Sequence, residues 1–84
     1  MTSTNYKVTE IYGYSFTLSL REIEEIFFSA IDSIYSEKYK VIFNENQVEL
    51  DPLQQRVIEE LKELGRNIAY VTQGSALVAI IGYH

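Results

Sequence analysis

The sequence predicts an α+β domain: two helices packed on one face of a mostly antiparallel sheet, in the order β-α-β-β-α-β-β. Three observations carry this. Ser19 to Ser36 and Asp51 to Gly65 place apolar residues at helical spacing and open on capping signatures. The segments around them alternate apolar and polar side chains with the period of two that strands show. Ser75 to Tyr83 carries no charge and is apolar at both parities, so as a strand it needs cover on both faces.

In chain order, residues 1 to 4 have nothing to bury and are expected to fray. From Tyr6 the even positions read Tyr6, Val8, Glu10, Tyr12, Tyr14 and Phe16, against Lys7, Thr9, Ile11, Gly13 and Ser15, which gives a first strand with an aromatic face. Gly13 marks a bulge or a close backbone approach. Glu10 is a carboxylate on the apolar face: either it lies where the strand overhangs the core, or it is a buried acid with a shifted pKa.

Ser19 is the N-cap of the first helix and Glu22 closes its capping box. Leu20, Ile23, Ile26, Phe27, Ala30, Ile31 and Ile34 form the buried stripe, with Phe28 on its flank. The outer face carries Glu22, Glu25, Asp32 and Glu37 against the single base Arg21, so it is acidic. Tyr39, Val41 and Phe43, then Val48 and Leu50, alternate on either side of Asn44-Glu45-Asn46-Gln47, which predicts a hairpin.

Asp51 caps the second helix, with Pro52 in its first position and Gln54 able to reach back to the cap. Leu53, Val57, Ile58, Leu61 and Leu64 are its buried stripe, and Gly65 ends it. Ile68 to Thr72 is a further strand, joined through Gln73-Gly74 to the long apolar one. The first six elements follow the ferredoxin-like, or split β-α-β, order, with a C-terminal hairpin strand added. That architecture hosts many activities, so function has to be argued from surfaces and sites.

A chain of 84 residues is expected to form one domain. The absence of cysteine removes disulfides and thiolate metal sites, and no apolar segment follows a basic start, so the simplest expectation is a cytoplasmic protein. The apolar run is too short to span a bilayer, and a formal charge of −5 disfavours nucleic acid and anionic membrane as direct partners. Tyr35, Lys38, Tyr39 and Lys40 are a small local exception.

No catalytic constellation can be assembled. His84 is the single histidine, and Glu24 with Glu25, like Glu59 with Glu60, diverge by about 100° around their helices. Asn44, Glu45, Asn46 and Glu49 lack the aspartate spacing and glycine of a calcium loop. Neither a cofactor nor a metal is expected, and the chain is read as a non-enzyme.

Association remains. With both helices on one face, the last strand needs cover on the other, and a second copy of the chain is the simplest cover; Tyr12, Tyr14, Val78, Ile80 and Ile81 are the residues expected to carry it. The functional expectation is a small acidic interaction or regulatory protein. Its acidic helix face, Glu22, Glu25, Asp32 and Glu37, would engage a basic partner and compete with nucleic acid for that partner's site. The alternative is a dimeric small-ligand sensor whose site at the subunit interface draws on Tyr12, Tyr70 or Tyr83.

Overall fold

A computed structural model describes residues 6–32 and 38–84. The elements are β1 (Val8–Gly13), α1 (Leu20–Ile31), β2 (Lys40–Ile42), a 3-10 turn (Glu45–Gln47), α2 (Pro52–Glu63), β3 (Asn67–Gln73) and β4 (Ala76–Tyr83). The class is α+β, two helices with a four-stranded sheet in the order β1-β4-β3-β2, every neighbouring pair antiparallel.

Both helices begin where their capping residues direct. The Glu22 amide donates to Ser19 Oγ at 3.2 Å and the Ser19 amide to Glu22 Oε1 at 3.0 Å. At α2, the Gln54 amide donates to Asp51 Oδ1 at 2.8 Å and the Asp51 amide to Gln54 Oε1 at 3.1 Å. Each box satisfies two amides that a helix start would otherwise leave unpaired. Gly65, at φ 74°, ends α2: the Gly65 amide donates to Lys62 O and the Arg66 amide to Leu61 O, each at 3.0 Å, so two of the last carbonyls are satisfied. Gln73 pairs with Ala76, which makes Gly74-Ser75 the two-residue link between β3 and β4, with Gly74 at φ 62°.

The helices do not share a face. Consecutive side chains of a strand point to opposite sides of the sheet. In β3, Ala69 and Val71 pack with Ile23 and Phe27 of α1, whereas Tyr70 between them packs with Ile58 and Leu61 of α2. In β4, Ala79 and Ile81 belong to the α1 side and Ile80 to the α2 side. The sheet is therefore the middle of three layers, and the expectation of two helices on one face is corrected. A hairpin apolar at both parities needs cover twice, and one helix on each face supplies it within a single chain.

This also relocates the residues expected to carry self-association. Ile80 and Ile81 are 0% exposed and Val78 is 6% exposed, all inside the chain's own core. Val78 has no partner across the pair because the register shifts between Val71 and Thr72, so Val78 and Ala79 both face α1. Tyr12 is half-buried against the α2 cluster, and Tyr14 is exposed beyond the end of β1. Among the described residues a helix lies on each face of the sheet, so the premise for a sheet-face dimer, one uncovered face, does not hold.

Two elements are shorter than their sequence patterns. β1 ends at Gly13, with one further bond from the Tyr14 amide to Val78 O at 2.8 Å. The second arm of the expected hairpin is not a strand. After β2 the Asn44 side chain accepts the Asn46 amide at 3.0 Å and turns the chain, and Val48 and Leu50 lie on the α2 cluster instead of pairing. Lys62 Nζ to Glu45 Oε1, at 2.9 Å, holds this segment against α2. Ser36, the expected end of the first helix, lies outside the described residues; α1 is capped at Asp32.

Candidate interaction surfaces

The acidic face of α1 is present but partly committed. Glu22 is the capping-box acid, and its carboxyl is held below the ordinary value of 4.5, mainly by hydrogen bonds with Ser19 and in smaller part by the charge of Lys38. Glu25 is exposed and lines, with Glu22, Thr17, Leu18, Ile26 and Lys38, an open groove of about 380 Å³ between the β1–α1 connection and the helix. Asp32 is exposed at the other end of α1 as its C-cap. Glu37 lies outside the described residues. The structure thus brings Glu22 and Glu25 together, sets Asp32 a helix length away, and places Lys38 against the acids rather than in a separate basic patch; its Nζ also lies 5.5 Å from the Tyr39 ring centre.

Glu10 is neither a free overhanging carboxylate nor a buried catalytic acid. It faces the α2 side opposite Gly82, receives Thr9 Oγ1, and is met by Arg66 Nε at 3.0 Å. The Thr9 hydrogen bond, then the hydrogen bond and charge of Arg66, lower its pKa against the opposing effect of burial, so it is ionised and paired. Gly82 makes the room: a Cβ there would lie 2.8 Å from Leu61 Cδ2 and 2.9 Å from Glu10 Oε1. The group ties β1 to the α2–β3 connection and is structural.

The tyrosines named for a ligand site do not converge. Tyr70 and Tyr12 lie on the α2 side, and burial, with a smaller effect of Glu45, pushes the Tyr70 hydroxyl up to about 12. Tyr83 lies on the α1 side, where it joins Phe27, Phe43 and Tyr6 in an aromatic cluster. Asn44 and Glu45 are committed to the turn and to Lys62. Among the described residues, no three acidic or histidine side chains gather as metal ligands, and no helix is long and apolar enough to cross a membrane.

Sequence reasoning missed Phe16. Its even parity assigned it to the apolar face of the first strand, yet it is fully exposed, at 107% of its reference area. The strand has ended, and a turn in which the Thr17 amide donates to Ser15 Oγ at 3.2 Å, with the two hydroxyls 2.8 Å apart, holds Phe16 outward. Serine and threonine on either side of a lone aromatic were the available signal. Both helices start at this end of the sheet, and Leu20, Leu53 and Tyr14 are exposed here too; the charge of Asp51, the α2 cap, acts on the Tyr14 hydroxyl, which burial first and this charge second push up.

Comparison with known protein families, with curated proteins and with solved structures finds no match to this chain.

Proposed function

We propose that this chain is a small acidic interaction protein that docks on a basic surface of another protein through the end of the molecule where α1 begins. The observation that carries this reading is Phe16, a large apolar side chain held wholly in solvent by a hydrogen-bonded turn, beside a groove edged by Glu22 and Glu25. Aromatic anchors supply most of the binding energy at many interfaces, and charge around them steers encounter and selects the partner. A basic surface with an apolar slot is the complementary partner. Many such surfaces bind nucleic acid, so occlusion of a nucleic-acid site is the regulatory outcome this reading favours.

The test begins with a partner recovered by affinity capture, its binding then measured with purified components. Phe16→Ala is expected to weaken binding by about 30-fold, the scale of a 2 kcal/mol anchor. Glu25→Lys is expected to weaken it at 0.1 M salt and much less at 1 M, because the screening length falls from about 10 Å to about 3 Å. Glu22 is left intact, since its loss would damage the capping box. The proposal fails if both variants bind within twofold of the parent at low salt. A ligand site between subunits is not carried forward, because the faces that would have formed it are covered within the chain.

A further inference from the structure

An aromatic cleft lies at the opposite end of α1 from Phe16. Tyr6, Ala30, Ile31, Phe43 and Tyr83 line an open volume of about 390 Å³. Tyr6 and Phe43 are about half exposed, at 47% and 51%. Tyr83 stands between them, its ring centre 5.7 Å from that of Tyr6 at 67° and 6.3 Å from that of Phe43 at 81°; Phe27 packs behind it at 4.9 Å.

Two features define what such a cleft can hold. Tyr6 and Phe43 each meet the Tyr83 ring at a steep angle, so the rings form a corner about Tyr83, a shape that can enclose a rounded group. The electrostatics then favour a cation. Ring faces carry negative potential, Ala30 and Ile31 belong to the negative end of the α1 dipole, that last turn holds no base, and its cap is Asp32. Lys7 and His84 follow Tyr6 and Tyr83 in sequence and, by strand alternation, point to the other face of the sheet. Burial and the neighbouring Tyr6 push the Tyr83 hydroxyl up, so the wall stays a neutral ring at physiological pH.

From these contacts we infer that the Tyr6–Phe43–Tyr83 corner is a binding site for an alkylated ammonium cation, either a free quaternary amine or a methylated lysine side chain. The inference is independent of the docking surface at Phe16.

The experiment follows the ring signals of Tyr6, Phe43 and Tyr83 by nuclear magnetic resonance during titration with choline, with N-acetyl-trimethyllysine amide, and with neohexanol, the uncharged carbon isostere of choline. Saturable shifts are expected from at least one cation, with neohexanol clearly weaker; the tighter of the two cations identifies the source. Phe43→Leu, which keeps an apolar side chain at an exposed position, should weaken the cation about two- to fivefold, the size of one ring's contribution at an exposed site, with unchanged circular dichroism. The inference is overturned by neohexanol binding as well as the cations, by no saturable shift up to about 50 mM of either cation, or by a Phe43→Leu protein that binds as the parent does.

Discussion

Ile80 and Ile81 are neighbours on β4, both fully buried, and they point into different cores. Replacing either by alanine removes three carbon groups. At about 0.8 kcal/mol each this is about 2.4 kcal/mol of lost transfer free energy, and the cavity left behind raises the cost to about 3–4 kcal/mol. A domain of this size has about 4–12 kcal/mol of stability in all, so each variant should lose a large part of it. Urea titration followed by circular dichroism measures this directly: with a slope of about 1 kcal/mol per molar, the midpoint of each variant should fall by about 3 M or the chain should be unfolded at the outset. The two variants should behave alike, and the parent midpoint should not depend on protein concentration. The reasoning is refuted if one isoleucine costs less than about 1 kcal/mol, or if the parent midpoint rises with concentration, because a face covered by a second copy would show such behaviour. Phe16→Ala supplies the contrast, with an expected change within about 0.5 kcal/mol for an exposed side chain.

Two further predictions concern the β1–α2 junction. Gly82→Ala should destabilise the fold by about 1–3 kcal/mol in the same urea assay, since its Cβ would meet Leu61 and Glu10 at under 3 Å, and displacing them disturbs the packing of buried Leu61 and the Glu10–Arg66 pair. The folded pKa of Glu10 lies below its unfolded value, so its contribution to stability is fully present above the ordinary value of 4.5 and is lost as pH falls through the depressed folded value. Thermal melts of Glu10→Gln should accordingly fall off less steeply than the parent across that acid limb, and an identical pH profile for the two proteins would remove the Arg66 pair as its cause.

What the sequence made legible follows from how local each signal is. Both helix starts could be read because Ser19 with Glu22 and Asp51 with Gln54 act within one turn, and Gly65 ends α2 through bonds no longer than five residues. The two-sided burial of β4 was equally legible, as every second residue reports on one face. Which helix covers which face was not, because the apolar stripe of α2 reads the same whether it meets Tyr70 and Ile80 or Ala69 and Ile81; only the path of the connections decides. Val48 and Leu50 misled for a related reason: alternation suits a strand, and it equally suits an irregular segment that lays every second side chain on a helix. On the surfaces, the acids of α1 could be named but not their commitments. The capping bond of Glu22 is local, whereas Lys38 reaches it from a distant part of the chain. The aromatic corner joins Tyr6, Phe43 and Tyr83 across three segments, and no spacing in the sequence announces it.

The placement of both cores on the β3–β4 hairpin has a consequence for the order of events during synthesis. Residues 67–83 supply the platform to which every other element is attached: β1 pairs with β4, β2 pairs with β3, and each helix lies on one side of the pair. A ribosome completes that platform after it has made both helix segments, so at about 5–20 residues per second the two amphipathic segments precede the finished hairpin by about 1–4 s. Neither can be secured early, since a helix of 12 residues is marginal alone in water. Once made, the hairpin closes over a two-residue link, a microsecond event, and offers both faces together. Assembly should therefore be abrupt and late, with the waiting interval as the period in which the chain is most exposed to chaperones and proteases.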